Sequence, residues 1–590
     1  MRSRKVIVAG VAGAAMLTLA ACGGGGGDSA GSPTDGESFQ GEGSGDLKDP
    51  EAQGPAPEVE GAQEGGIITV LHPDPDDGPD SLDPTSGWSV TDNGILQALV
   101  HRSLTTFMRD PETNAMVLVP DLATDLGTPN EDFTEWKFTL KDGIKWDNGD
   151  PVTIDDLAFG IKRSMDTESL EGPGAVYSKG FFLGGDKYEG PYVSGEDFEG
   201  ITTEGNTITI KMAKPFSEMD YWGAFMAMGP VPGGDAAKPP QYGLKPRATG
   251  PYKVKSFTPN QELVLERNDQ WDPATDPARH QYVDGWVMKF DQDTATTDEL
   301  MLANNEQSAT TINTILQGAN YAEAKQKMPD QVMVGAQTCS SFMMPDYTQI
   351  TDVNVRRAIA FAYPYEDAWS ANGDIPGVTR VMGTSILPPG MAGKLEYQPV
   401  EGAEMGYDPE KAKELLAEAG YEPGEFEIKW AYDSSGPEGK ATMEQIKTGF
   451  EASGFKATPF PYGGGSLYDV WTDPDNNIHK KLNVQGTAWC QDWPSAATFI
   501  PPLFKTGEFY NTGQFSEESV DARIDEIPSL PLDEQADAWG ELDKTIMTEY
   551  FPVINTGYLN NLFAWGSAVK NFANDASQGY PDLRSMYVAQ

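Results

Sequence analysis

The chain has 590 residues, room for two or three ordinary domains and a large buried core. Hydrophobic residues make up 38% and aromatics 10%, which excludes a wholly disordered chain. Asp and Glu number 90 against 42 Lys and Arg, a formal net charge of −48, so the basic footprint that nucleic acid or an anionic membrane surface requires is missing.

At the N-terminus, Arg2, Arg4 and Lys5 precede an apolar run over residues 6–21 that ends at Cys22. The run is shorter than the roughly 20 residues of a spanning helix, and its charged head and small-residue end fit a signal peptide over residues 1–21. Leu19, Ala20, Ala21 and Cys22 resemble the lipobox of bacterial lipoproteins, which implies cleavage before Cys22 and acylation, palmitate included, of that cysteine. Several buried acyl chains on one residue meet the requirement for stable membrane anchoring. A plain secretory signal followed by an incidental cysteine is the alternative. Residues 22–66 are dominated by Gly, Pro, Ser, Asp and Glu with Phe39 the only aromatic, and are expected to form a flexible tether.

Residues 67–71 form a strand candidate. Asp74, Asp76, Asp77 and Asp80 lack the spacing of a calcium loop and read as a solvated acidic loop, and His72 beside them has no His or Cys neighbour to share a metal. Trp136, Phe138 and Leu140 alternate with polar residues, Asp142 and Gly143 make a turn, and Ile144 and Trp146 resume the alternation, which predicts a hairpin with one buried face. Thr153 to Asp156 read as a capping-box start to a helix carrying Leu157, Ile161 and Met165 on one side. Phe225, Met226, Ala227 and Met228 read as core packing. Val355, Ile359 and Ala362 are spaced as a helix face after Asp352. Asp408, Pro409 and Glu410 open a further helix with apolar Ala412, Leu415, Leu416 and Ala419, and Gly420 ends it. Strands and helices are mixed and no repeat is visible, so the class is α/β or α+β.

Catalytic patterns are scarce. The chain holds no nucleophile elbow, zincin motif, P-loop or dinucleotide fingerprint, and Gly463, Gly464, Gly465 and Ser466 read as a loop. Paired carboxylates remain open to a chain this acidic. Four His and three Cys offer little for a metal or a Cys/His nucleophile, so no cofactor and no metal are expected.

These segments, in this order, resemble the solute-binding proteins of peptide and nickel ABC importers, solute-binding family 5. The resemblance rests on Trp136, Phe138, Asp142, Gly143, Trp146, Pro151 and Asp155, then on Gly250, Pro251 and Tyr252, then on Leu265, Arg267 and Asn268. It continues through Asp352, Val355, Arg356 and Ala358 to Tyr407, Asp408, Pro409 and Ala412, and covers the chain from about residue 66 onward. It implies a two-lobed α/β fold of the Venus-flytrap type with an extra domain on the first lobe. The first lobe is then expected over 67–115, 245–337 and 553–590, the extra domain over 116–244 and the second lobe over 338–552.

Residues 488–493 resemble the oligopeptide-binding branch of that family. The resemblance implies that Asp492 pairs with a ligand α-ammonium while backbone groups of Ala488 and Cys490 bind an extended peptide, with Trp489 beside them. Trp88 and Ser89 align with a first-lobe loop that flanks the ligand. For Asp492 the competing reading is a surface or N-cap carboxylate, and for Trp489 a core aromatic. Cys339 and Cys490 match a disulfide of the same branch, against two free buried thiols. The expected protein is a non-enzymatic, monomeric lipoprotein on the outer face of the cell membrane, taking a peptide ligand to an ABC permease. A receptor for a metal chelate, haem or an oligosaccharide is the second reading, and a lipid-anchored hydrolase the third.

Overall fold

A computed structural model of the protein describes residues 44–73, 78–463, 467–486 and 488–590. The signal segment, Cys22, the acidic residues 74–77 and Gly464 to Ser466 lie outside the described residues.

The strand Ile67–Leu71 sits inside the largest sheet, between parallel neighbours Gly285–Lys289 and Thr311–Asn313. Ile68 and Val70, on one face of the strand, are fully buried, while Ile67 on the other is exposed. Strands Glu262–Arg267 and Tyr252–Thr258 extend the sheet on one side by antiparallel pairing. On the other side it continues into two long antiparallel strands, Val332–Pro345 and Ile554–Trp565. Their register runs from Val332↔Ala564 to Ala336↔Asn560, slips before Ser340↔Tyr558, and slips once more between Ser341↔Gly557 and Phe342↔Asn555. The near half joins the first lobe's sheet; the far half accepts the short strands Arg380–Val381, Val484–Gln485 and Ala488–Cys490 of the second lobe. Each lobe therefore closes around its own core, and the two long strands run through both.

The second lobe's core is lined by helices Val353–Ala362 and Pro409–Glu418. Asp352 and Asp408 cap them by accepting backbone N–H donors, Pro409 occupies the first turn, and Gly420 at φ +86° takes the left-handed turn after the second. Val355, Ile359, Ala362, Ala412, Leu415 and Leu416 are all buried.

The extra domain pairs a four-stranded sheet with the helix Ile154–Arg163. Thr153 and Asp156 make both bonds of the capping box, and Leu157, Ile161 and Met165 are fully buried. The hairpin expected over residues 136–146 does not form. Trp136, Phe138, Leu140, Ile144 and Trp146 are all buried, yet Glu135–Thr139 pairs with Thr207–Lys211, and Leu140, Ile144 and Trp146 pack with Leu122 and Val152, apart from Trp136 and Phe138. Alternation selects the buried face of a strand; the partner is chosen by whichever edge the tertiary fold presents. Phe225 to Met228 form a buried turn in the core.

Two expected boundaries shift. The flexible tether does not extend to residue 66, because Ser44–Lys48 is a strand paired in parallel with Met116–Pro120. Lys48 Nζ reaches Asp220 at 2.6 Å and lies 4.1 Å from the centre of the Tyr221 ring. A segment too polar to build its own core gains order here by completing another domain's sheet. The boundary at 115/116 also cuts a hairpin, Thr105–Arg109 with Met116–Pro120, whose Phe107, Met116 and Leu118 share the extra domain's core.

The first lobe and the extra domain are joined by a buried ion pair. Arg163 donates to both Asp83 oxygens at 2.5 and 2.6 Å, to Thr85 Oγ1 at 2.6 Å and to the Ala237 carbonyl at 2.8 Å. Removing one partner strands the other charge in the interior. Asp83→Ala is expected to lower the stability of this junction by about 3–5 kcal/mol, and Asp83→Leu with Arg163→Met to recover most of the loss. Denaturant midpoints of the wild type and both variants check this.

Candidate ligand-binding site

The strand Ala488–Cys490 lies antiparallel to residues 339–341, with Trp489 opposite Ser340 and Cys490 opposite Cys339. A disulfide joins Cys339 and Cys490 across this pair. The Gln491 N–H donates to the Thr338 carbonyl at 2.9 Å, which continues this ladder one residue further, up to Asp492.

Three parts of the chain meet on Asp492. Trp88 Nε1, from the first lobe, donates to its Oδ1 at 2.7 Å, and the Tyr177 hydroxyl, from the extra domain, donates to its Oδ2. Among the described residues no cation stands at ion-pair distance from this carboxylate. Burial pushes Asp492 up to about 6, against the opposing pull of the two donors. Tyr177 is pushed well above the usual phenol range by burial and by Asp492, so it remains a donor.

Neighbouring side chains hold this segment rigid. Trp493 is almost fully buried in the extra domain's core, 4.6 Å from the Tyr177 ring, and its Nε1 donates to Glu218 Oε2 at 2.8 Å. The Glu218 carboxyl is itself raised by burial. Trp489 combines two roles. Its Nε1 donates to the Thr498 carbonyl at 2.7 Å inside the second lobe's core, while its ring packs 4.7 Å from Tyr510 and borders the cleft.

Two cavities meet at Asp492, one of about 440 Å³ and one of about 380 Å³, and Trp88, Trp489 and Tyr510 border both. Such volumes fall within the range of roughly 300–1,000 Å³ usual for ligand pockets. Ser89 and Cys490 border the smaller one. Ser89 is exposed, and its Oγ is engaged as the N-cap of a short turn, accepting from the Asp92 N–H at 3.0 Å. Ala488 is half-buried and borders neither cavity. Tyr177, Glu218 and Tyr510 carried no local signal in the sequence: Tyr177 lies 315 residues from Asp492, in a different domain. Among the described residues no cluster of three or more His, Cys, Asp or Glu could hold a metal ion, and no helix is long and apolar enough to cross a membrane.

Two lobes meeting at a cleft with a buried carboxylate make the architecture of a solute-binding protein. The family model described as bacterial extracellular solute-binding proteins, family 5 Middle, matches residues 117–511, and the chain belongs to that family. The periplasmic oligopeptide-binding protein OppA of Salmonella typhimurium is 23% identical over 435 residues, 70% of this chain and 76% of that protein. The heme-binding protein A of Haemophilus influenzae is 25% identical over 434 residues, 69% and 73% of the respective chains. Among solved structures, clavulanic acid biosynthesis oligopeptide binding protein 2 superposes with a TM-score of 0.79 at 23% identity, covering 92% of this chain and 99% of its own.

The raised Asp492 value has a thermodynamic consequence. The folded protein binds this proton more tightly than the unfolded chain does, so the group's contribution to stability is complete below about pH 4 and is lost as pH rises through about 6. Asp492→Asn is therefore expected to be more stable than the wild type by about 3 kcal/mol at pH 7.5, with the difference vanishing near pH 4. Denaturant titrations of the ligand-free proteins across this pH range test it.

Proposed function

We propose that the protein is a peptide receptor, anchored by lipid on Cys22, that delivers its ligand to an ABC permease. One observation carries the reading: the Asp492 carboxylate is desolvated in the cleft, oriented by two neutral donors and left without a counter-charge among the described residues. An unpaired buried charge costs several kcal/mol, and a peptide α-ammonium supplies the missing partner. The adjacent strand Ala488–Cys490 borders the cleft through Trp489 and Cys490, and an extended peptide lying along it is held through its backbone whatever its side chains. Closure around the ligand bends the two long interlobe strands at their register slips, where the ladder is already interrupted.

Haem or a metal chelate is the weaker reading. None of the four His borders either cavity, and an anionic ligand would meet Asp492 and Glu218 as like charges.

Calorimetry on four combinations tests the ammonium contact: wild type and Asp492→Asn, each with Phe-Ala-Ala and its N-acetyl form. Either single change is expected to cost about 2–5 kcal/mol of binding, and the two together less than their sum, because both delete one interaction. Fully additive losses, or an Asn variant that binds like the wild type, would mean that Asp492 is structural.

The anchor has its own test. Cys22→Ser is expected to move the protein from the membrane pellet to the soluble fraction with its folded body intact, as read by fractionation and circular dichroism. A variant wholly retained in the pellet contradicts lipidation.

A further inference from the structure

We infer that the larger cavity receives the side chain of the ligand's first residue and selects a bulky apolar one, so that peptides with an N-terminal aromatic or large aliphatic residue are this receptor's ligand class. The inference rests on the peptide reading above and goes beyond it. An α-ammonium seated on Asp492 places the first Cα where the two cavities meet, with its side chain and the rest of the peptide as two arms that must diverge. The course of the strand Ala488–Cys490 and the sizes of the cavities assign the arms.

The smaller cavity follows the strand direction through Cys490 and Gln491 and is bordered by Ser89, Asn93 and Gln578. These hydroxyl and amide groups match the needs of peptide N–H and C=O groups, which are costly to bury without partners. The main chain belongs there. The larger cavity lies between the extra domain and the second lobe, and Phe181, Phe216, Pro501, Pro502, Ile524 and Trp539 form its walls. Both of its lysines are engaged with the protein. Lys505 pairs with Asp525, and the Lys214 ammonium sits 4.2 Å from the centre of the Phe181 ring. Glu218 accepts from Trp493, and Glu508 contributes a further carboxylate to the lining. An anionic first side chain would meet Asp492, Glu218 and Glu508 as like charges, whereas an indole or phenyl ring gains burial on several sides.

Gly180 supplies a direct probe. It borders this cavity within the short helix Ser178–Phe181, and a Cβ built on it meets no atom within 4 Å. A Cβ at this position at the cavity's edge therefore meets no steric resistance from the fold.

Calorimetry on the ligand-free full chain at pH 7.5 with Trp-Ala-Ala, Ala-Ala-Ala, Lys-Ala-Ala and Ala-Trp-Ala tests the inference. Trp-Ala-Ala is expected to bind roughly 10- to 100-fold more tightly than Ala-Ala-Ala, and moving the indole to the second position should forfeit most of that gain. Gly180→Leu is expected to lower the ratio of the Trp-Ala-Ala and Ala-Ala-Ala affinities at least tenfold. Equal affinities across the series, or tightest binding by Lys-Ala-Ala, would overturn the selectivity while leaving the peptide reading in place. Binding by none of the four would overturn both. The wild-type series decides the matter even where Gly180→Leu does not fold.

Discussion

The contact on which the cleft depends is the pair of hydrogen bonds that fix Asp492. Their donors, Trp88 Nε1 and the Tyr177 hydroxyl, come from the first lobe and the extra domain, 404 and 315 residues away in sequence. Both are neutral. They orient the carboxylate without cancelling its charge. Had an Arg or Lys stood in either place, Asp492 would have formed an internal ion pair and the cleft would have little attraction for an ammonium. Neutral donors in a desolvated wall leave a carboxyl raised to about 6, destabilising to the empty protein and available to a ligand.

That arrangement needs the segment carrying Asp492 to be held on both sides. The disulfide to Cys339 fixes the chain two residues before it, and Trp493, buried in a different domain's core, fixes it one residue after. Trp489 adds a third anchor through the Thr498 carbonyl. A side chain between such anchors has few rotamers left, so little ordering remains to be done when a ligand arrives. The same anchors place the second lobe's aromatics against the extra domain, which is why the larger cavity is apolar where it passes between them.

The extra domain is in turn tied to the first lobe by Arg163 and Asp83, and its edge is completed by Ser44–Lys48. Both ties join parts of the chain that composition alone would separate. The N-terminal stretch has the makeup of a linker, yet an extended backbone can add to an exposed strand edge whatever its side chains, and Lys48 then finds Asp220 within reach.

Much of the local structure was legible in the residues. Caps at Thr153, Asp352 and Asp408, the helix faces behind them, and the burial of Trp136, Phe138 and Trp146 all follow from interactions within a turn or two of chain. The family and its two-lobed architecture were legible through the order of those same motifs. Strand partners were not: Glu135–Thr139 takes Thr207–Lys211 in place of the expected hairpin, because pairing depends on which edges the folded domains leave open. The site divides the same way. Asp492, Trp489 and Cys490 stand together in six residues of sequence, but Tyr177, Glu218 and Tyr510 reach them only through tertiary packing, as do the two cavities. Short-range hydrogen bonding and hydrophobic periodicity are properties of neighbouring residues and can be read along the chain. A donor arriving from 315 residues away exists only once the lobes have closed on one another.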